Sequence, residues 1–240
     1  MNTWKEAILL AKFELKSSQA QLFLCWLILT ILSLIFLTSF KGYVEENYIG
    51  FDIFFLLVIS FGPFWFRSKQ FQYRRISNRL WASPVLIMQN ELPIPKEVIA
   101  KSRLIIYLAY LMPFIFTVFS FLYIFNGTVR EMMDLFTYSA FVLIWILYAL
   151  YFGVIMPSSD AGDYHTPTKM VVSFLISFSL GLGFILFFYQ VLGYGIVAWT
   201  IMLAQDWAFV AIGISIILVI FSWKALPIYM VKTMKKLDYF

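Results

Sequence analysis

The chain has 240 residues, of which 62% are hydrophobic, 20% aromatic and only 13% charged, with a mean hydropathy of +0.85. That balance excludes a soluble globular protein, and with it the soluble enzymes. The net charge of +5 reflects where basic residues sit around a membrane, since the basic stretch holds no recognisable nucleic-acid motif.

Residues 2–19 alternate apolar and charged positions at helical spacing. Trp4, Ile8, Ala11 and Leu15 share one face, with Lys5, Glu6, Lys12 and Lys16 around the other. This pattern predicts a helix lying in the headgroup plane. Six apolar stretches without a charged residue follow, at 20–40, 53–66, 104–125, 135–156, 170–192 and 207–223. Crossing a hydrocarbon layer of ~30 Å takes ~20 residues, and the second stretch reaches that length by borrowing 49–52. The first lacks an A-x-A-like cleavage site and reads as a retained helix, not a removable signal peptide. Its cysteine, Cys25, is the only one in the chain, so no intrachain disulfide forms and a buried structural thiol is expected.

All basic residues except Lys41 and Arg130 fall in segments that share one side if the N-terminus is inside. Acids such as Glu45, Glu46, Asp52, Glu131, Asp134 and Asp206 then lie outside. The basic bias predicts both termini in the cytoplasm. The expected fold is an all-α integral membrane protein forming one transmembrane domain. It has an interfacial helix over 1–19 and spans at 20–40, 49–66, 104–125, 135–156, 170–192 and 207–223. Short outside loops are expected at 41–50 and around 126–134. The spans keep no ionisable side chain at membrane depth, which argues against coupling to protons or sodium.

The segment 67–103 is the one substantial polar connection. Its first part, 67–81, is expected to be helical, with Ile76, Leu80 and Trp81 on one face and Arg74, Arg75 and Arg79 beside them. Ser83-Pro84 and Leu92-Pro93-Ile94-Pro95 interrupt, because a proline pushes the preceding residue out of the helical region. A new helix starts near Pro95, helped by Glu97 in its first turn.

The connection 157–168 brings Asp160, Asp163 and the single histidine, His165, close in sequence. A cation site would need further ligands, so a solvated loop with capping Asp and Ser is the expectation, and no metal is assigned. In the fifth span Ser173, Ser177 and Gly181 recur every four residues, as close helix packing in lipid requires. The face is read as a subunit interface, or as packing on another helix of the same chain. Gly193-Tyr194-Gly195 breaks that helix. Residues 196–204 are too short to span and are expected to dip into the outer interface, with Trp199 in the aromatic belt. There is no phosphate-binding G-x-x-x-x-G-K-[ST] loop and no H-E-x-x-H, and no catalytic residue is assigned.

The words Asn78-Arg79-Leu80-Trp81-Ala82-Ser83 and Leu92-Pro93-Ile94-Pro95-Lys96-Glu97-Val98-Ile99-Ala100-Lys101, with the order of parts, resemble the membrane subunits of bacterial ABC exporters of the ABC-2 permease type. Proline stands at position 95 where that family usually has a small polar residue, and 84–91 is an extra segment between the two words. The resemblance implies a multi-pass subunit of the bacterial plasma membrane that forms half of a translocation path. It pairs with a second permease subunit, as a homodimer or heterodimer, and has membrane lipid around it. It is powered by a separate cytoplasmic ABC ATPase that carries the ATP and magnesium, so this chain binds no cofactor and is not itself an enzyme. Coupling would fall to Arg74, Arg75, Ile76, Asn78, Arg79, Leu80, Trp81, Leu92, Pro93 and Glu97. The path suits amphipathic or hydrophobic cargo, peptide above all, as in phenol-soluble modulin exporters. A non-transporting scaffold or immunity protein fits the hydropathy equally. A secondary transporter would show paired broken helices, and only one break, at 193–195, is seen.

Overall fold

The computed structural model describes residues 3–237 apart from 63–66, 68–70 and 78–79, and leaves aside the side chains at 22, 25, 26, 29 and 167. Of the described residues 83% are helical. In order come α1 (Thr3–Ser17), α2 (Gln19–Glu46), α3 (Ile49–Phe61), strands β1 (Arg74–Arg75) and β2 (Leu80–Ala82), α4 (Pro84–Glu91) and α5 (Lys96–Phe125). After these follow α6 (Gly127–Met132), α7 (Leu135–Phe152), α8 (Ile155–Ser159), β3 (Asp163–Tyr164), α9 (Pro167–Val191), α10 (Ile196–Asp206) and α11 (Ala208–Lys236). Among the described residues four stretches are long and apolar enough to cross a membrane: Lys96–Phe125, Leu135–Ser159, Thr168–Val191 and Ala208–Lys236. They hold the last four expected spans. The first expected span lies inside α2, an unbroken helix of 28 residues. The second begins as α3, whose 13 residues end just before the undescribed 63–66.

Helix starts follow local chemistry. Pro95 stands at the N-cap of α5, and Asn126, Asp134 and Thr166 cap α6, α7 and α9 by accepting from the N–H of Val129, Thr137 and Lys169. Each cap satisfies a backbone donor that has no partner inside its helix. Pro113 lies inside α5 and brings no N–H to its helical ladder.

The core is aromatic. Phe36, Phe51, Phe55, Phe114 and Trp145 are buried; Phe55 meets Trp145 edge-on at 4.7 Å between centroids, and Tyr43 stacks on Phe51 at 4.5 Å. Such pairs contribute about 0.5–1.5 kcal/mol each beyond area burial. α5 runs through the middle with 56% of its apolar window buried, whereas the corresponding figure for α9 is 6%. A second cluster joins Leu86, Ile99, Ala100, Leu104, Ala161, Leu226, Met230 and Met234, with Leu10 against it. Leu10 of α1 and the last turns of α11 thus gather with the 84–100 region at one end of the bundle, here the basic end. Asn126 donates to the Leu37 carbonyl and Gln205 to that of Met132 at the far end.

Two expectations about connections are corrected. Residues 41–46 are not a loop: α2 continues to Glu46, with Lys41 and Glu45 one turn apart at 3.8 Å. The described part of 67–81 is not a helix. β1 and β2 pair antiparallel, Arg74 opposite Ala82 and Arg75 opposite Trp81, and β2 pairs with β3 through Leu80–Tyr164 and Trp81–Asp163. The sheet exists because 163–164, ahead of α9, lies alongside the connection and supplies its third strand. Gly162, at φ +89°, permits the tight approach; a Cβ there would lie 2.7 Å from the Trp81 carbonyl oxygen.

Candidate functional site

α1 turns a narrow face of Ala7, Ala11 and Glu14 into the protein. The two alanines let its backbone come close to α5, where Ala11 packs on Ile106 and Tyr110. The same face carries the Glu14 carboxylate, 1% exposed, against Arg103 of α5, also 1% exposed. Arg103 donates to Glu14 at 2.6 Å and to Gln89 of α4 at 2.9 Å. Arg67, which follows α3, donates to both oxygens of Asp160 at 3.1 and 3.0 Å and to Glu14 at 3.0 Å. Arg103 also stands 3.7 Å from Asp160.

Two carboxylates and two guanidiniums therefore close a ring in which each charge touches both opposite charges. Its members come from α1, the stretch after α3, α5 and the end of α8, with α4 attached through Gln89. Burial acts to lower the Arg67 pKa, but facing Asp160 and Glu14 outweigh it and hold the guanidinium charged, above the ordinary arginine value. Desolvating four ions costs several kcal/mol each, and the geometry offsets this only while all four stay in place. What such a ring supplies is coupling: moving one of its elements disturbs the partners of all the others.

Asp160 was expected in a solvated loop with Asp163 and His165. It is instead buried and committed to Arg67, and its backbone carbonyl accepts from Ser83. Asp163 faces Lys169 at 3.1 Å and His165 at 3.8 Å, so the three side chains do not converge.

The residues expected to couple the chain to a partner are divided by the fold. Arg74, Arg75, Ile76, Leu92, Pro93 and Glu97 are exposed. Leu80 is buried, and Trp81 is half-buried with its ring stacked on Tyr73 at 5.9 Å. Leu80 and Trp81 thus lie on β2, and Ile76, just past β1, donates its N–H to the Leu80 carbonyl; the three do not form a helical face. Asn78 and Arg79 lie outside the described residues. Ser173, Ser177 and Gly181 lie together on α9 and are exposed, and no atom stands within 4 Å of where a Gly181 Cβ would be. That face is unused by the described residues of the chain.

The far end holds a second polar group. Asp52, expected among the outside acids, is fully buried. Its carboxylate accepts from the N–H groups of Ile196 and Val197 and from the hydroxyls of Tyr43 and Tyr189, at 2.7–3.2 Å for the nearest oxygens. The Tyr43 hydroxyl accepts from the Ala198 N–H, and Asn47 bonds both to the Gly193 carbonyl and to the Gly195 N–H. The anion thus sits on the N-terminus of α10, where unpaired N–H groups and the helix dipole favour it. The break at 193–195 forms as expected, and the short segment after it is the helix α10.

Glu14, Gln89, Arg67 and Arg103 were not among the residues singled out from sequence, and Asp160 was singled out only as part of the 157–168 loop. One signal was present, a lone acid continuing the small-residue stripe Ala7, Ala11 of α1. No family model matches the chain, and no curated protein or solved structure matches it.

Proposed function

We propose that the chain is the membrane subunit of an ATP-driven exporter, forming half of a path for amphipathic cargo, peptide above all. It works in a bacterial plasma membrane with six spans and both termini inside, and a separate ATPase docks on 67–103. One observation carries this reading beyond the resemblance in wording. The connection is a folded platform of sheet and α4 whose two margins, Arg67 and Arg103, are locked into the buried ring. A push on the platform therefore reaches α1, α5 and α8 together. A loop that merely joined two spans would need no such lock.

The exposed docking surface is then Arg74, Arg75 and Ile76 with Leu92, Pro93 and Glu97, while the half-buried Trp81 supports the sheet from behind. Apolar residues at the centre of a contact outweigh charges at its rim. Ile76→Asp combined with Leu92→Asp should leave membrane insertion intact, yet strip a span-less ATPase from the purified chain and stop export. A chain that purifies alone from its native membrane, in a detergent that preserves complexes, sinks the proposal.

A further inference from the structure

Between the first turns of α5 and the last turns of α11 lies a cleft of about 390 Å³, lined by Glu97, Lys101, Pro227, Ile228, Val231, Lys232 and Lys235. Its volume falls within the ~300–1,000 Å³ of small-molecule sites. α5 contributes Glu97 and Lys101, and α11 contributes both the apolar residues and two lysines. Lys101 donates to Thr3 of α1, and its ammonium stands 5.3 Å from the Trp4 ring. Among the described residues neither Lys232 nor Lys235 has a carboxylate at ion-pair distance. Lys96 ties the two helices together by donating to the Met234 carbonyl at 2.8 Å, so the cleft is braced at its base.

Its depth in the membrane follows from length. α11 has 29 residues, roughly 44 Å at about 1.5 Å each, against a hydrocarbon thickness of ~30 Å. The apolar run of this helix ends at Trp223 and Lys224 follows, so 227–235 stands at headgroup level. Even there, Ile228 and Tyr229 remain 70% and 55% exposed, and Trp4 of neighbouring α1 is 47% exposed. Apolar side chains displayed beside lysines that have no carboxylate partner among the described residues suit a ligand with one charged end and one apolar end.

We propose that this cleft binds an anionic glycerophospholipid. Lys101, Lys232 and Lys235 hold its phosphate, and Pro227, Ile228 and Val231 support the glycerol and the first methylenes of its chains. Basic clefts between membrane helices at this level recognise anionic headgroups for this reason. Glu97, 4.0 Å from Lys101, leaves the cleft net positive and offers an acceptor to a hydroxyl-bearing headgroup. A soluble acidic peptide would satisfy the lysines and leave the apolar residues uncovered. The proposal rests on membrane-crossing α5 and α11, and not on export.

The test uses the full chain in nanodiscs of phosphatidylcholine with increasing phosphatidylglycerol, with bound lipid read by native mass spectrometry after release. Phosphatidylglycerol should be retained in preference to phosphatidylcholine. Lys232→Gln with Lys235→Gln should weaken retention roughly tenfold or more, whereas the same lysines changed to Arg should keep it. Lys224→Gln, outside the cleft, should change nothing. Thermal unfolding checks that the Gln variant is folded; if it is not, the Arg variant and an Ile228→Asp variant, expected to lose lipid, decide. Equal retention of the two lipids overturns the proposal. So does displacement by inorganic phosphate as effective as that by intact lipid, or an acidic peptide that competes while phosphatidylglycerol does not.

Discussion

The two ends of the bundle each bury carboxylate groups, and they neutralise them differently. At the basic end Glu14 and Asp160 are matched by the guanidiniums of Arg67 and Arg103, carried on separate elements. At the far end Asp52 is matched by backbone N–H groups and tyrosine hydroxyls, all but one of them from 189–197. The first arrangement is many-bodied: removing one ion strands others in a medium that solvates them poorly. The second fixes one short stretch of chain in register and involves no opposite charge. The basic end is thus tied together as a unit, and the far end holds a single turn still.

The sharpest way to break that contrast is Arg103→Met. It leaves Glu14 short of a partner and Gln89 without its donor, and should cost about 3–5 kcal/mol in unfolding of the purified protein in mixed micelles. Adding Glu14→Leu should recover most of the loss, because Arg67 and Asp160 remain paired and the cluster is neutral again. A single variant within about 1 kcal/mol of wild type would mean that water reaches the ring. Next in size is Gly195→Ala, whose Cβ would lie 2.0 Å from the Asp52 carboxylate and 2.5 Å from the Tyr43 hydroxyl. The clasp must open to admit it, at about 1–3 kcal/mol by the same unfolding measurement, with no recovery from changing any basic residue. Trp81→Ala ranks third. It removes the stack on Tyr73 at a cost of about 1 kcal/mol and should leave lipid retention at the α5–α11 cleft unchanged. The smallest effect is a pH dependence at Asp163. Burial acts to raise its pKa, but the Lys169 ammonium and the Tyr164 N–H lower it more, and it ends below the ordinary carboxylate value. A depressed folded pKa contributes stability above the unfolded value, lost as pH falls through the folded one. Melting curves of wild type and Asp163→Asn should therefore differ at neutral pH and converge below about pH 4.

What could be read from sequence divides along physical lines. Apolar length located the four long apolar helices α5, α7, α9 and α11, proline chemistry placed the start of α5, and paired glycines placed the break before α10, because each is a local property of the chain. Pairings between distant segments leave no such trace. Glu14 and Arg67 are 53 positions apart, and helical periodicity says only that Glu14 lies on the Ala7–Ala11 face. Asp52 stood in the first turn of its own helix and looked like an exposed acid; nothing local announces that it serves the end of a helix 144 positions further on. The helical expectation for 67–81 failed because strands of two and three residues are too short to show a period of two, and their third partner lies past α8.

Pro113 gives α5 a property that its length conceals. A proline inside a helix removes one tie and crowds the preceding turn, so bending concentrates there. Before it, 96–112 is held by α1, α4 and α11; after it, 114–125 packs among the aromatic rings toward the far end. The Thr117 hydroxyl bonds to the Pro113 carbonyl at 2.8 Å, one turn on. The proline is therefore the place where α5 would bend most readily. A displacement imposed at Lys96 should arrive beyond Pro113 as a change of tilt more than as a translation, leaving the far-end clasp closed.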